Sequence, residues 1–256
     1  MALKSKETVV IIEQKEIAEN IFDLWIEAKQ MAFEAKAGQF VSVYCKDKSK
    51  LLPRPVSICE IDKQKGRLRL VYRVAGDGTR SLSALKAKDT LEIMGPLGNG
   101  FPLKNKKTFL IGGGIGIPPM LELSKQLSGE QEIILGYRNE LFLKNEFEPY
   151  GKVFIATEDG STGTKGTVID AIEQNGLQAD VIYACGPSPM LKALKEYAMQ
   201  HEMECYISME ERMACGIGAC LACVCKSTQV DEHSRVKNKR VCKEGPVFEA
   251  KEVDFS

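Results

Sequence analysis

Thr108-Phe109-Leu110-Ile111-Gly112-Gly113-Gly114-Ile115-Gly116-Ile117-Pro118-Pro119-Met120 leads from a short apolar run, through four glycines in five positions, into a segment opened by prolines. Glycines let a turn approach a pyrophosphate, and a proline in the first helical turn forfeits no needed N–H. The strict G-x-G-x-x-G pattern fails, because counting from Gly112 its last glycine falls on Ile117. This is therefore not the ordinary dinucleotide fingerprint. Downstream, Glu132-Ile133-Ile134-Leu135-Gly136-Tyr137, Val153-Phe154-Ile155-Ala156 and Val181-Ile182-Tyr183-Ala184 are brief apolar runs, the pattern of parallel strands buried on both faces. Helices are expected over residues 120–127, 168–175 and 189–200, the last with Leu191, Leu194 and Ala198 on one face. Residues 103–205 thus read as a doubly wound α/β nucleotide-binding domain.

Upstream the pattern changes. Gly95-Pro96-Leu97-Gly98-Asn99-Gly100-Phe101-Pro102 breaks any regular element and marks a domain border. Before it, Thr8-Val9-Val10-Ile11-Ile12, Gly38-Gln39-Phe40-Val41-Ser42-Val43-Tyr44, Arg67-Leu68-Arg69-Leu70-Val71-Tyr72-Arg73-Val74 and Leu91-Glu92-Ile93-Met94 read as strands. The third alternates basic and apolar residues, as a half-exposed strand should. Residues 1–102 are expected to form a small antiparallel β barrel, with one short helix over residues 81–86.

Nine cysteines cannot pair completely, and five crowd into the tail: Cys215, Cys220, Cys223, Cys225 and Cys242. Cys215, Cys220 and Cys223 have the spacing C-x4-C-x2-C, that of plant-type [2Fe–2S] ferredoxins, and Cys242 supplies a fourth thiolate. Gly216, Gly218, Ala219 and Ala222 are small enough for the loop to wrap closely and aim N–H groups at sulfur. A zinc site is the competing reading, although Cys242 provides no second close pair. Cys225 reads as a small core residue. Residues 206–256 are expected to be a [2Fe–2S] subdomain.

Lys plus Arg and Asp plus Glu both number 35, so the basic excess expected of a nucleic-acid binder is missing. No apolar run is long enough to span a bilayer, and Met1-Ala2-Leu3-Lys4 opens no signal peptide, so a cytoplasmic protein is expected. His201 and His233 read as surface residues. Arg235, Lys237, Lys239 and Arg240 read as a solvated loop.

Arg54-Pro55-Val56-Ser57 resembles the R-x-[YVF]-S flavin motif of the ferredoxin–NADP reductase superfamily. Val71-Tyr72-Arg73 and Gly78-Thr79 resemble its second and third flavin contacts. Gly112-Gly113-Gly114-Ile115-Gly116 resembles its nucleotide turn, and Cys185-Gly186-Pro187 its C-G-P motif. The resemblance implies that Arg54 pairs with the FAD pyrophosphate, Ser57 lies by the flavin, and Cys185 sits beside the nicotinamide and flavin rings. A guanidinium fork suits phosphate oxygens. Glu210-Glu211-Arg212-Met213-Ala214-Cys215-Gly216-Ile217-Gly218-Ala219-Cys220 and Gly245-Pro246-Val247-Phe248 extend the likeness across practically the whole chain, which resembles the electron-transfer subunits of two-subunit, NAD-dependent dihydroorotate dehydrogenases. That family implies FAD, a [2Fe–2S] cluster, NAD+ as co-substrate, and a heterotetramer with an FMN-containing catalytic subunit. It implies a place in pyrimidine biosynthesis, and no acid–base pair or nucleophile in this chain. The alternatives are a reductase subunit serving sulfide or ferredoxin chemistry, and a zinc-stabilised interaction module.

Overall fold

The computed structural model describes residues 5–47, 49–138, 140–230 and 235–256. His233, Asn139 and the opening Met1-Ala2-Leu3-Lys4 lie outside the described residues.

Six antiparallel strands close a barrel in the order β1-β2-β5-β4-β3-β6. They are β1 (Ser5–Ala18), β2 (Ile21–Glu27), β3 (Phe40–Tyr44), β4 (Arg54–Asp62), β5 (Arg67–Arg73) and β6 (Thr90–Leu97). Ile11, Leu24, Ile26, Ile58, Leu68 and Leu70 are almost wholly buried in its core. Three details depart from the sequence reading. The stretch expected to break after Met94 stays in β6 as far as Leu97, with Pro96 beside a register shift against β3 that spares its missing N–H. Helix α1 (Lys29–Glu34) lacks a sequence signal, and α2 runs Asp77–Ser83 rather than over 81–86. The α2 start is fixed by Thr79, whose hydroxyl accepts the N–H groups of Ala75 and Gly76.

β5 is not half-exposed either. Arg69 is 6% exposed, because its guanidinium bonds Asp23 through Nε and Nη2, both at 2.8 Å. The same guanidinium reaches Glu60 of β4 at 3.2 Å and Glu146 at 3.0 Å. Glu146 belongs to α4 (Lys144–Phe147) of the next domain, so a buried ionic network ties the barrel to its neighbour.

That neighbour is a sheet ordered β10-β9-β8-β7-β11-β12-β15. Its strands are β7 (Thr108–Gly113), β8 (Gln131–Tyr137), β9 (Lys152–Thr157), β10 (Thr164–Lys165), β11 (Val181–Cys185), β12 (Glu204–Ser208) and β15 (Val247–Glu249). All pairings are parallel except the last, where β15 runs against β12. Along β7 the two faces alternate as period two demands. Leu110 joins the core under α3 (Pro118–Gln126) and α4, whereas Phe109 and Ile111 join that under α5 (Val168–Gln174) and α6 (Ser188–Gln200). Leu191, Leu194 and Ala198 are the buried residues of α6. Helices on both faces make the doubly wound fold. Because β8 and β11 flank β7, the strand order reverses at β7/β11, where such sheets bind ligands.

The cysteine-rich tail adds a hairpin, β13 (Val224–Lys226) with β14 (Asn238–Arg240), and returns to supply β15. β12 runs across the expected 205/206 border, so nucleotide sheet and tail share a strand pair.

Candidate functional site

A cavity of about 750 Å³ opens between barrel and sheet. Arg54, Pro55, Val56 and Ser57 of β4, Val71, Tyr72 and Arg73 of β5, and Thr79 of α2 all line it. Gly78 lies beneath Arg54: a Cβ there would fall 2.1 Å from the guanidinium Nε. Three of these side chains are already engaged. The Tyr72 hydroxyl donates to Gln14 Oε1 at 3.0 Å, and burial raises its pKa. The Thr79 hydroxyl is used in starting its helix. Arg54 donates to the Leu52 carbonyl and overhangs the α2 start, a position suited to a phosphate.

The glycine turn meets the C-G-P segment at the switch point. Gly112 is in register with Cys185 across β7 and β11. A Cβ at Gly116 would lie 2.4 Å from the Cys185 carbonyl carbon, so only glycine permits this approach. Gly113 and Gly186 both pack on Met190, and Pro187 occupies the N-cap of α6. Gly114 turns toward Arg73, and Ile115 lines the same cavity, which makes turn and cavity continuous. Cys185 is 1% exposed and burial raises its pKa strongly, so it is a thiol at neutral pH. Arg138, just past the end of β8, approaches Glu158 at 4.0 Å, while Glu140 accepts the Glu19 N–H at 2.8 Å.

The thiols form two pairs. Cys215 neighbours Cys220 on the outer side of the loop, and Cys223 neighbours Cys242 on the buried side. Among the described residues no three His, Cys, Asp or Glu side chains converge on one ion. A two-iron cluster instead asks for two thiolates at each end, which this arrangement fits. Backbone donors surround the sulfurs: Ile217 N lies 3.5 Å and Ala219 N 3.3 Å from Cys215 Sγ, and Gly218 N lies 3.1 Å from Cys242 Sγ. Desolvation opposes the Cys215 thiolate, but N–H donors from Ile217, Cys220 and Ala219 prevail and lower its pKa to about 6. Burial, with Cys223 beside it, pushes Cys242 up to about 12; an iron would displace that proton. Cys225 is buried in β13, as its small-residue reading expects.

Sequence reasoning missed two features. Residues 208–213 line the cavity and lead straight into the cysteine loop at Cys215. The supposed solvated loop is also engaged: Lys239 pairs with Glu252 at 2.7 Å, and Arg240 is clamped by Glu244. His201 is exposed and stacks on Tyr197.

The family model described as the oxidoreductase FAD-binding domain matches residues 8–101, and that of the iron–sulfur cluster binding domain of dihydroorotate dehydrogenase B matches 210–254. Curated relatives named dihydroorotate dehydrogenase B (NAD(+)), electron transfer subunit, include one from Geobacillus sp. (strain WCH70). It is 43% identical, the match covering 98% of this chain and 99% of that one. Another, from Caldanaerobacter subterraneus subsp. tengcongensis, is 43% identical over 96% and 97%. This chain belongs to that family. A solved NADH-dependent reduced ferredoxin–NADP oxidoreductase, studied for flavin-based electron bifurcation, superposes with a TM-score of 0.87 at 29% identity, covering 100% of this chain and 91% of that one. As a dihydroorotate dehydrogenase B electron transfer subunit, the chain carries an FAD-binding barrel and an iron–sulfur tail. No helix among the described residues is long and apolar enough to cross a membrane.

Proposed function

We propose that this chain, working in the cytoplasm, receives electrons from a dihydroorotate-oxidising catalytic subunit and delivers them to NAD+, supporting pyrimidine biosynthesis. The observation that carries the reading is the segment at 208–213, which joins the flavin cavity directly to the cysteine loop. Bound FAD supplies the one chemistry able to exchange single electrons on one side and a hydride on the other. The chain's own residues do the rest. Arg54, held over Gly78, would take the pyrophosphate, and Ser57, Tyr72 and Arg73 line the same cavity. Gly112, Gly113, Gly114 and Gly116 bring the backbone close to the nucleotide, with Cys185, Gly186 and Pro187 across the crevice. Cys215, Cys220, Cys223 and Cys242 would hold the cluster. The partner is an FMN subunit, two copies of each chain making the complex.

The ferredoxin–NADP oxidoreductase likeness favours a second reading, a reductase subunit serving ferredoxin, at lower identity. Copurification decides between them. Capture of a chain that oxidises dihydroorotate, with NAD+ reduced by the mixture, is the expected result. A partner that reduces ferredoxin and leaves dihydroorotate untouched would replace the first reading by the second.

A further inference from the structure

The Arg240 guanidinium has a second task besides its ion pair. It lies two residues before Cys242, where the sequence alone reads as a basic solvated loop. Its Nη1 donates to the Gly218 carbonyl at 2.9 Å. The N–H on the other side of that same peptide unit belongs to Ala219, 3.3 Å from Cys215 Sγ. Guanidinium, peptide and sulfur thus form one chain of hydrogen bonds. Glu244 fixes its starting point: Oε1 and Oε2 accept from Arg240 Nε at 3.1 and 3.0 Å, and Oε2 also accepts the Arg240 backbone N–H at 2.7 Å. Gly218 makes the peptide's orientation possible, because its φ of +84° is left-handed and a Cβ would meet Lys243 Cδ at 2.6 Å.

We propose that Arg240 is a positioning and tuning residue that raises the cluster's reduction potential by polarising the Gly218–Ala219 peptide toward Cys215. The inference rests on the assignment of the cluster to the four thiols. A cation on a carbonyl oxygen makes the N–H of the same peptide a stronger donor, and hydrogen bonds in series reinforce one another. One-electron reduction adds a negative charge, which spreads onto the ligand sulfurs. A stronger N–H···S bond stabilises that reduced state more than the oxidised one. Glu244 has an opposing electrostatic role, since its carboxylate screens part of the guanidinium charge while holding it in place.

The test is an EPR-monitored redox titration of the full chain purified anaerobically with FAD and cluster. Arg240→Met is expected to lower the midpoint, shifting the oxidised-to-reduced ratio at a fixed potential roughly tenfold, or about 59 mV for a one-electron couple. Arg240→Lys restores less than half of that shift, because it keeps the charge but loses the fork. Glu244→Gln moves the midpoint the other way, which a merely slackened loop would not do, and it serves should Arg240→Met fail to fold. Four results would overturn the relay: an unmoved midpoint in Arg240→Met, full retention in Arg240→Lys, an unmoved midpoint in Glu244→Gln, or a fall in it. A wild-type chain without the EPR signal of a reduced [2Fe–2S] centre would instead remove the cluster assignment, and this inference with it.

Discussion

Gly78 has no side chain, and the Arg54 guanidinium occupies the space one would take. A methyl group there must push the tip of a flexible side chain and not a backbone atom, so the fold has room to adjust while Arg54 does not stay in place. Gly78→Ala and Arg54→Ala should therefore act alike. Each is expected to weaken FAD binding by about 2 kcal/mol, roughly 30-fold, through loss of a charge-assisted pyrophosphate contact. FAD retention on serial dilution measures this, and a Gly78→Ala chain that keeps its flavin would separate Arg54 from the phosphate. At the cysteines the contrast is between neighbours. Cys220→Ser should lose iron and acid-labile sulfide, because it removes half of the outer thiol pair. Cys225→Ser should retain both, being a buried residue of β13 outside the two pairs. Iron and sulfide assays on the two variants check the ligand set, and iron loss in Cys225→Ser alone would reassign it.

Strand β5 shows what periodicity reads and what it cannot. Its length and place in the barrel were legible from β-branched and aromatic content, yet the Arg-Leu-Arg-Leu alternation pointed Arg69 to solvent. Its partners Asp23, Glu60 and Glu146 stand 46, 9 and 77 residues away in sequence, beyond the reach of a local pattern. Removing Arg69 leaves Asp23, 1% exposed, as an unpaired buried charge. Arg69→Met is expected to cost about 3–5 kcal/mol, whereas Glu146→Gln, at the network's open end, should cost about 1 kcal/mol or less. Urea unfolding of both variants tests this, and equal costs would mean that the network is not centred on Asp23. β12 carries a pH-dependent counterpart. Hydrogen bonds from Lys106, then Tyr206, lower Glu204 from 4.5 to about 2 against a small desolvation cost. A depressed carboxylate contributes stability above its unfolded pKa and loses it as pH falls through the folded one. Glu204→Gln should therefore flatten the stability profile between about pH 4.5 and 2, and an unchanged slope there would show the ion pairs to be idle.

Across the whole molecule, motif order made the three functional parts legible, while the way they share structure was not. Nothing near Gly245-Pro246-Val247-Phe248 signals that β15 closes the edge of the nucleotide sheet, because a three-residue strand has too little pattern to read. The consequence is physical continuity: β12 ends at Ser208, residues 208–213 line the cavity between barrel and sheet, and the chain then enters the cysteine loop. On the proposed reading, NADH chemistry needs the cavity and the glycine turn, whereas exchange with a partner subunit needs the thiol loop as well. A variant that empties the loop but leaves the barrel intact should separate the two activities. Cys220→Ser is expected to abolish dihydroorotate-dependent NAD+ reduction in the reconstituted complex, yet retain NADH-to-dye activity for as long as FAD stays bound. Parallel assays of both reactions, normalised to flavin content, make the comparison. Equal loss of both activities with FAD bound would show that the nucleotide side depends on the thiol loop. Dihydroorotate oxidation by the isolated chain would remove the need for a partner altogether.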